Sequence, residues 1–155
     1  MSTPEQRIAE LGLELPPVVA PLASYVPTVR TGALIYTAGQ LPMVGGELPV
    51  TGKVGAELSA EQAAELARTC ALNVIAALKA EVDELSRIAR IVKVVGFVAS
   101  APDFYGQPEV INAASDLLGE VFGDAGKHAR SAVGVAVLPR DAPVEIEAIA
   151  EVAAS

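Results

Sequence analysis

The spacing of apolar positions changes repeatedly along the chain, and each change marks an element. Ala64, Ala67, Ala71, Val74, Ile75 and Leu78 recur at steps of three and four residues, with Glu61, Glu65 and Arg68 on the opposite face. That period belongs to an amphipathic helix. Ser59 and Gln62 have the spacing of a capping box in front of it, so the helix is expected over about 60–82. A second helix is expected over about 108–122, closed by Gly123. A short helix over 4–13 would have Pro4 in its first turn and Gly12 near its end, before Leu15-Pro16-Pro17 breaks it.

Elsewhere the pattern is that of strands. Residues 18–29 read as extended, and Pro21 and Pro27 suit an edge position. Gly32 then turns the chain into a compact strand over 33–38, giving a hairpin. Residues 43–57 carry Gly45, Gly46, Gly52 and Gly55 and read as a loop with room for one short strand. Ile91 to Ala99 is almost wholly apolar, as in a strand buried on both faces. The β-branched run 128–139, a Pro139-Arg140-Asp141-Ala142-Pro143 turn and the alternating run 144–150 are expected to form a second hairpin.

After the N-terminal helix the order is β-β, α, β, α, β-β. This predicts an α+β two-layer fold, with two main helices on one face of a mixed sheet. Residues 1–17 form a helical extension and 18–155 a single domain. No element remains to cover the other sheet face, which points to an oligomer. The chain has 155 residues, 52% hydrophobic and 19% charged, enough for one real core and not a disordered composition.

Charge narrows the function. The net charge is −8, from 19 acidic and 11 basic residues, without Trp and with three Tyr and three Phe. Nucleic-acid binders concentrate basic residues and offer aromatic surfaces for stacking, so nucleic acid is disfavoured as a partner. One cysteine and one histidine make a metal site implausible, and no cofactor motif is present. The glycines of 45–55 do not have phosphate-loop spacing. The polar N-terminus lacks the features of a secretory signal, and no run approaches the roughly 20 apolar residues of a membrane span, so a cytoplasmic location without membrane contact is expected.

The candidate chemistry lies near the C-terminus. Arg130 opens an apolar strand, and an arginine fork there suits recognition of a small carboxylate. Alternation along the last strand sends Glu145 and Glu147 to one face and Val144, Ile146 and Ala148 to the other. A hairpin would bring the arginine near one or both glutamates. The bland alternatives are a structural ion pair for Arg130 and an edge charged against aggregation for the glutamates. His128 reads as a polar loop residue rather than an acid–base group, Cys70 as a buried inert thiol, and Tyr36 and Tyr105 as core or rim residues.

Arg130-Ser131, the apolar strand behind them, Leu138-Pro139 and Val144-Glu145-Ile146-Glu147-Ala148-Ile149-Ala150 resemble the C-terminal signature of the RidA (YjgF/YER057c/UK114) family. Thr37-Ala38-Gly39-Gln40-Leu41-Pro42 is similar to that family's Thr-Ser-Gly-Gln-Ile/Leu-Pro segment, and Tyr25 falls where members carry a pocket tyrosine. The resemblance implies a chorismate-mutase-like fold and a homotrimer with clefts between subunits. It further implies hydrolysis of reactive 2-enamino and 2-imino acids, products of pyridoxal-phosphate-dependent dehydratases, to 2-keto acids and ammonia. In that scheme Arg130 clamps the substrate carboxylate and Glu145 orients the attacking water. Tyr25 closes the cleft from the neighbouring chain, and Gly39, Ala132 and Asn112 line it. A non-catalytic trimer binding a small carboxylate is the alternative, and endoribonuclease activity is disfavoured by charge. The chain departs from the family pattern at Ala132 (often Cys), at Ser115 (commonly Tyr) and at Lys127-His128-Ala129-Arg130 (often Pro-Ala-Arg). Those changes, with the longer N-terminus and 101–108 loop, suit a longer, divergent subgroup.

Overall fold

The structure, a computed structural model, describes residues 2–21 and 23–154. Leu22, within the segment expected to be extended, lies outside the described residues. Helix α1 spans Pro4–Glu10, α2 Ala60–Val82 and α3 Gln107–Phe122. The strands are β1 Thr28–Thr31, β2 Leu34–Thr37, β3 Ile88–Ala99, β4 Ala129–Val135 and β5 Val144–Val152. Ser59 caps α2 with the expected box: its hydroxyl accepts from the Gln62 N–H at 3.1 Å, and the Gln62 side chain accepts from the Ser59 N–H at 2.9 Å. The 43–57 loop contains isolated bridges but no strand of its own.

The five strands form one mixed sheet in the order β1-β2-β5-β3-β4. The β1–β2 hairpin turns at Gly32, whose positive φ of 59° suits a residue without a Cβ. The expected C-terminal hairpin does not form. β3 lies between β4 and β5, pairing parallel with β4 and antiparallel with β5. A parallel pair requires a crossover, and α3 is that crossover, so β4 docks on the outer side of β3 and becomes an edge. The turn at 139–143 therefore spans a strand instead of joining neighbours.

The helices cover one sheet face. Ile35, Val94, Val98 and Ile146 meet Val74, Ile75, Leu78, Ile111 and Leu117 in the main core. Gly96 is required there, since a Cβ would come within 2.5 Å of Ile111 Cδ1. β3 is buried on this face alone, correcting the expectation of burial on both: Ile91, Val94 and Val98 are buried while Val95 and Phe97 are only partly so. Among the described residues, no element covers the opposite face. Val29, Tyr36 and Val133 are exposed on it, with Phe97, Ile149, Glu145 and Glu147 part-buried beside them.

The N-terminal helix packs into the same core. Ile8 is buried in it, and Glu5 accepts from Lys79 Nζ at 3.1 Å and from the Leu85 N–H at 2.9 Å. Asn73, buried on α2, donates to the carbonyls of Leu41 and Met43 at 3.0 and 3.1 Å. This ties the segment following Gly39 to the helix layer.

Candidate functional site

Arg130 stands in β4 opposite Val94, a core residue on the helix side, so its side chain leaves the sheet on that face at the open edge. It reaches α3. Nη1 donates to Asn112 Oδ1 at 2.8 Å and to Ser115 Oγ at 3.3 Å, and Nη2 donates to the Pro108 carbonyl at 3.5 Å. Asn112 and Ser115 are three residues apart and therefore share one face of α3. Ala132, opposite Gly96, continues the same face of β4. The guanidinium is held by neutral acceptors, and no carboxylate of the described residues forms an ion pair with it.

Glu145 sits in β5 opposite Phe97 and leaves the sheet on the uncovered face. The Gly39-Gln40 segment runs beside it, with Gln40 N–H donating to the Ile146 carbonyl at 2.7 Å and the reverse bond at 3.0 Å. Gly39 has no Cβ because the Glu145 carboxyl occupies that space: a Cβ would fall within 2.8 Å of Cδ and closer still to Oε2. Tyr25, Tyr36, Gly39, Leu41, Pro139 and Glu145 line a cavity of about 610 Å³. Burial, and secondarily the charge of Glu147, hold the Glu145 carboxyl above its ordinary pKa.

One chain thus gathers Tyr25, Gly39 and Glu145 around one cavity, and Arg130, Asn112 and Ala132 at the opposite sheet edge. Two strand spacings, roughly 10 Å, separate β4 from β5, and the two sets face opposite ways. The expectation that a hairpin would bring arginine and glutamate together is corrected by the intervening β3.

Two further residues belong to the arginine set. His128 Nε2 lies 2.9 Å from Ser115 Oγ, and its Nδ1 lies 2.6 Å from the Gly126 carbonyl. His128 is a loop residue, as expected, but it is part-buried and tied to α3. Its sequence neighbourhood carries no sign of this, because Ser115 is thirteen residues away on another element. Cys70 is fully buried, its thiol facing the Val144 carbonyl at 3.7 Å, and burial raises its pKa well above the ordinary value. It is inert. Tyr105 is exposed, at the rim of the fold. Among the described residues, no three His, Cys, Asp or Glu side chains are grouped to hold a metal ion, and no helix is long and apolar enough to cross a membrane.

Residues 5–152 match the family model described as "YjgF/chorismate_mutase-like, putative endoribonuclease". The chain belongs to the RidA (YjgF) family. It is 44% identical over 147 residues to Protein TCP17 of Trypanosoma cruzi, covering 93% of this chain and 91% of that one. The 2-iminobutanoate/2-iminopropanoate deaminase of Salmonella typhimurium is 34% identical over 131 residues, covering 84% of this chain and 89% of its own. A crystal structure of an Agrobacterium tumefaciens protein of unknown function superposes with a TM-score of 0.91 at 48% identity, covering 97% of this chain and 92% of that chain. The chorismate-mutase-like α+β fold implied by the C-terminal signature is the one observed.

Proposed function

We propose that this RidA-family protein hydrolyses 2-enamino and 2-imino acids to 2-keto acids and ammonia, in clefts completed between subunits of a homotrimer. The observation that carries this reading is the pair of half-sites: an arginine fork preorganised at one sheet edge, and a carboxyl of raised pKa in a cavity on the uncovered face. Neither half is a site alone. Apposing the β4 edge of one copy to the cavity of the next would bring them together, and would also cover the apolar sheet face. The imine deaminase name of a relative 34% identical over 84% of this chain supports the same chemistry.

In this reading Arg130 binds the substrate carboxylate, with Asn112 and Ala132 beside it, and Tyr25 and Gly39 of the adjoining copy line the cleft around Glu145. A protonated imine is already electrophilic, so positioning and proton transfer suffice. Glu145 accepts a proton from water as the water oxygen bonds to the imine carbon, and returns it to the nitrogen. As the C–N bond breaks, the hydroxyl proton passes back to Glu145, releasing ammonia and leaving the 2-keto acid. A carboxyl held above its ordinary pKa is suited to both transfers near neutrality. No metal or cofactor enters this scheme. A net charge of −8 disfavours RNA as substrate. We further propose a cytoplasmic location, which agrees with the single, buried Cys70.

The test is keto-acid formation from an imino acid generated in situ by an amino-acid oxidase, comparing wild type with Arg130→Ala. Acceleration by the wild type that the variant lacks is expected. No acceleration by a folded oligomer would turn the assignment to a carboxylate-binding protein.

A further inference from the structure

We propose that His128 and Ser115 are positioning residues that lock the Arg130 fork through a defined proton arrangement, leaving one edge of the guanidinium for the carboxylate of a 2-keto or 2-imino acid. This deepens the functional reading above and rests on it for the identity of the ligand. The geometry itself is independent of that reading.

For the neutral ring, hydrogen-bond accounting sets the arrangement. The Gly126 carbonyl can only accept, so the 2.6 Å contact requires that His128 Nδ1 carry the proton. In the neutral ring Nε2 is then an acceptor, and the 2.9 Å contact takes the Ser115 hydroxyl proton. With its proton committed to the ring, the Ser115 oxygen turns its lone pairs to Arg130 and accepts from Nη1 at 3.3 Å. Asn112 Oδ1 accepts the other Nη1 hydrogen at 2.8 Å. Guanidinium has five N–H donors. Two are held by α3 side chains, and the Pro108 carbonyl lies 3.5 Å from Nη2. Among the described residues the Nε–H and one Nη2–H have no partner, and Nε and Nη2 share one edge of the fork. A carboxylate can take that edge bidentately.

The arrangement predicts an unusual ring state. Free imidazole side chains favour the proton on Nε2, whereas this site requires Nδ1–H. His128 is the only histidine in the chain, so its ring signals need no assignment by mutagenesis. Long-range 1H–15N correlation on the intact protein, at a pH where the ring is neutral, should show Nδ1 protonated and Nε2 as acceptor. Addition of 2-ketobutyrate should shift the ring signals, and this shift should vanish in Arg130→Ala.

Variants separate positioning from mere packing. A Gln side chain at 128 can offer a carbonyl oxygen near the Nε2 position, whereas Asn can replace only the Nδ1–H. Calorimetric titration with 2-ketobutyrate should show about three- to tenfold weaker binding for Ser115→Ala and His128→Asn, with His128→Gln recovering most of the loss. In the deaminase assay the same variants should raise KM with kcat little changed. The Nε2–H tautomer in the wild type overturns the proposal, as does a His128→Asn variant that binds like wild type or a His128→Gln variant as weak as His128→Asn. A wild type that shows the Nδ1–H ring but binds no 2-ketobutyrate supports the relay and tells against the assigned substrate.

Discussion

Arg130 and Glu145 lie on opposite faces of one sheet, with β3 between their strands. A fork on the helix side and a carboxyl on the uncovered side cannot grip one small molecule within a single chain. In a closed ring of identical subunits each interface would take its arginine from one copy and its glutamate from the next. Arg130→Ala and Glu145→Gln subunits should each be inactive alone. Unfolding and reassembling them together should restore activity, with about a quarter of the clefts intact in a random 1:1 mixture. A mixture as inactive as its components would place both residues of each working site in one chain.

Arg130→Lys keeps the charge and loses the fork. Because Asn112 and Ser115 hold two guanidinium hydrogens on one nitrogen, an ammonium cannot keep both contacts and still present two parallel donors. The value of kcat/KM for imino-acid hydrolysis should fall on the order of 10²-fold, as for loss of one partner from a hydrogen-bonded charge pair. Steady-state kinetics on the purified variant checks this.

Glu145 makes opposite predictions for activity and stability. Glu145→Gln should lower kcat by about 10²–10⁴-fold, and the wild-type rate should rise with pH through a pKa above the ordinary carboxylate value of 4.5. The native carboxyl binds its proton more tightly than the unfolded one. Between the unfolded and the raised folded pKa the native state therefore holds more protons, and stability falls as pH rises through that window. Above it the ionised group is a net cost, so Glu145→Gln should raise the melting temperature near neutral pH. Thermal melts of both proteins across pH 4–8 should cross or diverge accordingly.

Gly39→Ala tests the space beside that carboxyl. The backbone at Gly39 is not in the left-handed region, so alanine is conformationally allowed, but its Cβ would meet Glu145. If Glu145 is the base proposed above, displacing it by about 1 Å should cost roughly 10²-fold in kcat. The far-ultraviolet dichroism should remain that of the wild type.

Asn73→Ala removes the donors to the buried Leu41 and Met43 carbonyls. Two unpaired acceptors should destabilise the protein on the order of 3 kcal/mol, measured by urea unfolding. The segment behind Gly39 should loosen with it, giving a higher KM in the fraction that remains folded.

The sequence by itself determined several local elements, although the edge strand expected over 18–29 begins only at Thr28. A capping box and a period of 3.6 residues define α2, Gly32 defines the β1–β2 turn, and alternation along β5 assigns Glu145 and Val144 to opposite faces. These depend on residues a few positions apart, where backbone geometry alone relates the side chains. The segments around Gly39 and Arg130 likewise carry the resemblance to the family in residues adjacent along the chain.

Tertiary structure decided which strands are neighbours. Two β-runs joined by a proline-rich turn look like a hairpin, yet α3 carries the chain across and lays β4 parallel to β3, so the arginine and the glutamate part company. The partnership of His128 with Ser115 and Arg130 also arises only when α3 folds back over β4. Local rules describe periods and turns; pairing order depends on which apolar surfaces bury most completely together, and that is a property of the whole chain.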